Sequence, residues 1–358
     1  MANVYPCPGY DPELVAINGN PPSLSIQTTQ DIYALRQTTA SVLEEILKPW
    51  RVQHEPYTIS GVNGDDLQVS VFRPSSSSSS TPCQSPTSPK APAILYIHPG
   101  GLIAGDRFTG IESMLEHVQQ EQLVCIAVEY RLAPEYPHPA ALKDCYITLE
   151  WARDHSGRLG IDPSRILIAG ISAGGGLAAG VALLCRDRGV LPPLCGQILL
   201  SPMLDDRNAT VSSFQYRGHG AWSRESNLFA WKCLLHGDGG GGGDLQEGAA
   251  HDDDGDDDAS IIYAAPARAS DLAHLPPTYI ECGSTDVFRD EDTAYASRLW
   301  EFGNEAELHI WPGGWHAFQI YSPESRLAIM AAQTRSSWLR RLLLRLGSNG
   351  QDYAKAAK

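Results

Sequence analysis

Six short, uninterrupted apolar runs recur along the chain: Ala93 to Ile97, Val124 to Val128, Ile166 to Ala169, Ile198 to Leu200, Thr278 to Ile280 and Leu308 to Trp311. Helical patterns fall among them, at Ala140 to Ala152, Leu177 to Cys185, Ala294 to Phe302 and Arg326 to Leu346. A strand that is apolar on both of its faces must be covered on both, so this alternation predicts an α/β fold with a mostly parallel central sheet between helices. Leu67 to Phe72 alternates strictly and reads as a half-buried edge strand. Thr28 to Leu47 reads as one amphipathic helix preceding the sheet. In such sheets the chemistry collects at the carboxyl ends of the strands.

At one of those ends stands Gly170-Ile171-Ser172-Ala173-Gly174, a G-x-S-x-G pentapeptide between the run ending at Ala169 and the following helical stretch. A serine at so tight a strand-to-helix turn is held strained with its hydroxyl exposed, which small neighbours permit. Ser172 is therefore the candidate nucleophile. Such a serine needs a base, a group that orients the base, and donors for the developing oxyanion. Asp286 follows the run at Thr278 and fits the orienting acid, with Asp290 and Glu291 as rivals that a helix first turn would also favour. His316 follows the run at Leu308 in Gly313-Gly314-Trp315-His316 and fits the base, ahead of His274 and His309. His98-Pro99-Gly100-Gly101 closes the first apolar run, and the N–H groups of Gly100, Gly101 and Ala173 can form an oxyanion hole. Phe288 and Trp315, beside the acid and the base, are the candidate pocket walls; Trp222 and Phe318 read as core. His98 reads as a brace for its loop, and Tyr130, Arg131 and Glu135 as a group fixing the turn after the strand at Val124.

These motifs together resemble the hormone-sensitive-lipase-like family of α/β-hydrolases, serine carboxylesterases and lipases. The resemblance rests on His98 to Gly101, Tyr130 to Glu135 with Pro139 to Cys145, the Ser172 pentapeptide, Asp286 to Glu291 and Gly314 to Phe318, and covers about residues 60 to 346. It implies an α/β-hydrolase fold with a helical cap, made from an N-terminal segment (1–55) and an insertion (203–262) within a catalytic domain spanning 56–346, followed by a tail (347–358). It also implies ester hydrolysis through an acyl-enzyme, with no cofactor and no metal. Acyl transfer, lactone opening or release of a secondary metabolite by the same triad are the alternatives, and a ligand-binding receptor is a more distant one. Three positions depart from the family pattern. Pro99 stands where a glycine is usual and has no N–H to donate. Ile171 replaces the usual Asp before the serine, and Val287-Phe288 replaces Pro-Leu after the acid.

The resemblance implies a small-molecule ester as the partner, and charge argues against other partners. The formal net charge of -15 disfavours nucleic acid and anionic membranes. Residues 237 to 258 contribute eight Asp and one Glu without a Lys or Arg, and with Gly239 to Gly243 they read as a solvated insertion and not a calcium loop. Ser75 to Ser80 reads as a connector. No secretory leader or membrane span is expected, and eight cysteines without C-x-x-C spacing suit a reduced, cytoplasmic protein. A homodimer is left open.

Overall fold

The computed structural model describes residues 5–21, 23–38, 41–75, 90–237 and 258–348. Most of the serine tract (76–80), the body of the acidic insertion (238–257) and the tail from 349 lie outside the described residues. The described residues form an eight-stranded sheet: β1 Val52–Ser60, β2 Asp66–Pro74, β3 Ala91–Ile97, β4 Val124–Val128, β5 Ile161–Ile171, β6 Gly196–Leu200, β7 Thr278–Thr285 and β8 Ala306–Trp315. The spatial order is β1-β2-β4-β3-β5-β6-β7-β8. β2 runs antiparallel to β1 and to β4, and every other neighbouring pair is parallel.

The uninterrupted apolar runs have a plain cause. Successive side chains of a strand point to opposite faces. Ala93, Leu95 and Ile97 of β3 join one apolar cluster with Ile166 and Ile168 of β5, while Ile94, Tyr96, Leu167, Ala169 and Ile171 join the cluster on the other face. Ile171 is fully buried in that second cluster, so the departure before the serine is absorbed as core packing. Removing such a side chain from water contributes roughly 1.5–3 kcal/mol.

Two expectations are corrected. Leu67 to Phe72 is not the edge strand, because β1 pairs along its outer side from Val52↔Pro74 to Ser60↔Asp66. β1 carries no apolar run because Gln53, His54, Glu55 and Pro56 make it polar, as suits a strand whose outer side is open and where proline costs no ladder bond. The stretch from Thr28 to Leu47 is also not one helix: it holds the helices Thr29–Thr38 and Leu43–Leu47. Between them the Ser41 N–H donates to Asp106 Oδ2 at 2.9 Å and Val42 is extended, so the chain is tied to the loop after β3 instead of continuing its spiral.

The order of strands places the site. From β3 the chain steps to β4 on one side, then returns across β3 to β5 and moves on in the opposite direction. Sheets of this kind carry their sites at such a reversal, here the carboxyl ends of β3 and β5. Gly100 and Gly101 leave one of those ends and Ser172 the other.

Candidate active site

Ser172 joins β5 to the helix Ala173–Asp187, with φ 56° and ψ -122°, a conformation that a non-glycine residue keeps only when its surroundings enforce it. Its N–H donates to the Leu200 carbonyl at 2.8 Å, and its own carbonyl accepts from Met203 N–H at 3.0 Å. The turn is tight enough that a Cβ on Gly176 would stand 2.1 Å from the Met203 carbonyl oxygen. This rear clasp was not foreseen. The run of glycines beyond the pentapeptide was its signal, since glycine marks close backbone approach.

His316, in the turn after β8, brings its Nε2 to 2.9 Å from Ser172 Oγ, and its Nδ1 to 2.9 Å from Asp286 Oδ2 and 3.2 Å from Oδ1. Asp286 is fully buried at the end of β7, and its Oδ1 also accepts from Phe288 N–H at 3.0 Å. A carboxylate only accepts, so Nδ1 carries the imidazole proton and Nε2 is left to accept from the serine hydroxyl. The rival groups are engaged elsewhere. Asp290 pairs with Arg289 and accepts from Ser212 N–H; Glu291 accepts from Leu204 N–H and Asp205 N–H. His309 lies on β8 against Glu307 at 3.0 Å, and His274 is exposed.

Gly100 and Gly101, with φ of 126° and 64°, wind the chain after β3 so that Ile103 and Ala104 both donate to the Gly100 carbonyl. Among the described residues the N–H groups of Gly100, Gly101 and Ala173 donate to no other group. Ala173 also opens a 15-residue helix, whose N-terminus favours negative charge. His98 is fully buried, stacked on Tyr130 with ring centroids 4.0 Å apart, while its Nδ1 lies 2.8 Å from the Pro99 carbonyl. Burial holds its imidazole below its usual pKa, so it serves as a neutral brace. Tyr130 donates to the His98 carbonyl at 2.9 Å; Arg131 forms a two-pronged pair with Asp144; Glu135 pairs with Arg36 of the N-terminal segment.

The aromatic residues separate in a way composition did not show. Phe288 stands edge-on to His316 at 5.1 Å and is fully buried. Trp315 is fully buried in the apolar cluster of Leu14, Trp311 and Phe318, edge-on to Tyr10. Trp222 lies against the loop of Gly100 and Gly101: a Cβ on Gly101 would meet its Cη2 at 2.7 Å. Its indole N–H donates to Asn227 Oδ1 at 3.3 Å. The segment carrying it is also joined to the N-terminal segment, through Ser226 Oγ, which accepts from Ile26 N–H and donates to the Leu24 carbonyl.

A family described as the alpha/beta hydrolase fold matches residues 94–320, which hold every residue of this site. The chain belongs to that family. It is 33% identical over 232 residues to esterase LipI of Mycobacterium tuberculosis, covering 63% of this chain and 64% of LipI. It is 31% identical over 229 residues to carboxylesterase NlhH of the same organism, covering 63% and 66%. Thus the match spans somewhat less than two-thirds of these relatives' length. Among solved structures, a bacterial heroin esterase superimposes with a TM-score of 0.78 at 33% identity, covering 93% of this chain and 98% of that one. Esterase LipW from Mycobacterium marinum gives 0.77 at 30%, covering 94% and 98%. The hormone-sensitive-lipase-like resemblance read from the motifs is borne out. Among the described residues no helix is long and apolar enough to cross a membrane.

Proposed function

We propose that this protein is a serine hydrolase of small carboxylic esters, with Ser172 as nucleophile, His316 as base and Asp286 as the orienting acid. The observation that carries the reading is the imidazole of His316, held 2.9 Å from Ser172 Oγ by one nitrogen and 2.9 Å from Asp286 by the other. Ser172 Oγ attacks the ester carbonyl as its proton passes to Nε2. The tetrahedral oxyanion takes N–H donors from Gly100, Gly101 and Ala173, and its collapse releases the alcohol, which leaves with the proton from Nε2. Water then gives a proton to Nε2 as it attacks the acyl-serine, and a second collapse frees the acid and restores the hydroxyl. Pro99 has no N–H, so the two glycines and Ala173 carry the hole.

Residues 1–55 and 203–262 are the proposed cap, supported by Trp222 against Gly101 and by the Ser226 links between the two segments. Trp222 and Phe288 are the proposed walls beside the reacting carbonyl; the packing of Trp315 against Tyr10 and Trp311 gives that residue a supporting role beneath the His316 loop. A cytoplasmic location is supported by seven free thiols among the described residues, six of them buried. Burial pushes the Cys185 thiol up to about 11, which keeps it unreactive.

The test is intact-mass spectrometry after treatment with a fluorophosphonate, followed by peptide mapping. A single adduct on Ser172, absent in His316→Ala, is the expected result. No adduct on the folded protein, or one on another residue, would refute the assignment. Turnover of a p-nitrophenyl ester with and without an added alcohol then separates hydrolysis from acyl transfer.

A further inference from the structure

Glu291 lies five residues beyond Asp286, in the first turn of the helix Arg289–Glu301, and its side chain is almost fully buried. Its Oε1 accepts from Leu204 N–H at 2.8 Å and from Asp205 N–H at 3.2 Å, whereas Oε2 has no hydrogen-bond partner among the described residues. The segment it grips is the one that clasps the nucleophile from behind. Leu200 receives the N–H of Ser172 and Met203 donates to its carbonyl, so both backbone polar groups of Ser172 are held by a short stretch of chain. β6 anchors one end of that stretch at Leu200, and Glu291 anchors the other at Leu204 and Asp205.

We propose that Glu291 is a positioning residue for Ser172, acting as the hydrogen-bond acceptor that fixes the Leu200–Asp205 clasp and through it the strained backbone of the nucleophile. The inference rests on Ser172 being the nucleophile. A strained φ/ψ persists only where the surroundings over-determine it, and here one carboxyl oxygen, together with the bonds from Ser201 N–H to the Glu281 carbonyl and from Ala267 N–H to the Leu204 carbonyl, holds those surroundings in place. The groups around Glu291 are mostly acidic: Asp205, Asp286 and Asp292, with Arg207 committed to Asp205 and Arg289 to Asp290. Burial, and then the neighbouring carboxyls, push the Glu291 carboxyl well above the ordinary range. A protonated carboxyl retains a carbonyl oxygen that accepts two N–H bonds, and so does a glutamine amide. Glutamine should therefore replace it and alanine should not.

The experiment compares wild type, Glu291→Gln and Glu291→Ala by fluorophosphonate labelling rate, by kcat and KM on a p-nitrophenyl ester, and by thermal melting. Glu291→Gln is expected within about threefold of wild type, while Glu291→Ala loses roughly 10- to 100-fold in labelling rate and kcat with KM little changed. Alanine labelling at the wild-type rate, or glutamine as slow as alanine, would overturn the proposal. Should the alanine variant fail to fold, glutamine alone decides: a rate near wild type supports an uncharged acceptor, and a large loss refutes it. Failure of the wild-type protein to label Ser172 would instead sink the nucleophile assignment, so the two readings fail separately.

Discussion

Asp286 and His316 leave the ends of β7 and β8, two neighbouring parallel strands, and meet at 2.9 Å because the pairing register from Thr278↔Ala306 to Thr285↔Trp315 delivers both turns to the same height. The sheet itself sets the acid–base contact. Residues directly beyond strand ends are held more tightly than those in free loops.

Asp286→Asn tests the direction of the proton on His316. An asparagine amide can turn its NH2 toward Nδ1, which moves the ring proton to Nε2 and leaves nothing to accept from Ser172. The shape is kept and a negative charge near Glu291 and Asp292 is removed, so the melting temperature should not fall. Ester turnover should drop by about 10⁴-fold, the scale of the same exchange in other serine triads. Turnover within tenfold of wild type would show that Asp286 does not orient the base.

Gly101 and Trp222 should be coupled. A Cβ at Gly101 would lie 2.7 Å from the indole, and the φ of 64° adds strain of roughly 1–2 kcal/mol for an alanine. Gly101→Ala should lower kcat/KM by about 10²-fold as the N–H donor shifts. In Trp222→Ala the added methyl has room, so Gly101→Ala should cost less there than in wild type. A double-mutant cycle measured by kcat/KM checks this, and strictly additive losses would deny the contact.

The sequence disclosed what is local and hid what is long-range. β3 to β7 were legible because each holds a stretch buried on both faces and therefore apolar, and β8, the half-buried strand at the far edge, because Leu308, Ile310 and Trp311 mark it; β1 was not, because an edge strand with Glu55 and Pro56 has no such signature. Ser172, Asp286 and His316 were legible because each stands in a short motif just after an apolar run. The grip of Glu291 on Leu204 spans 87 residues, and nothing in the string beside Glu291 distinguishes it from an ordinary first-turn acid. Trp222 reads as core by type, and only the fold sets it against Gly101.

Stability should depend on the buried pair Arg335–Glu281, 2.6 Å apart with both side chains 2% exposed. Glu281 also accepts from the Tyr279 hydroxyl at 2.8 Å, so its carboxylate is partly satisfied without the arginine. Arg335→Met leaves that charge buried and unpaired, a change that costs about 3–5 kcal/mol in comparable pairs. Adding Glu281→Gln should restore part of the loss because the uncompensated charge disappears. Urea titration of the two variants decides it. A double variant no more stable than Arg335→Met would mean that packing, not charge, dominates.

His117 should make the protein acid-sensitive. It is fully buried, and Arg335 Nε donates to its Nε2 at 3.4 Å, a bond that requires that nitrogen to be unprotonated. Burial, reinforced by Arg335 and Arg340, lowers its pKa from 6.5 to about 3. In the unfolded chain the imidazole binds a proton as the pH falls through 6.5, while in the folded protein it resists until about 3. The unfolded state therefore holds more protons across that window, and stability falls as pH drops from 6.5 toward 3. The neutral imidazole's full contribution is present above pH 6.5. His117→Gln keeps a polar group beside Arg335 but has nothing to titrate, so its unfolding free energy should fall less steeply over the same window. Denaturant melts of both proteins at stepped pH supply the comparison, and identical slopes below pH 6.5 would show that buried carboxyl groups, and not this imidazole, govern the acid limb.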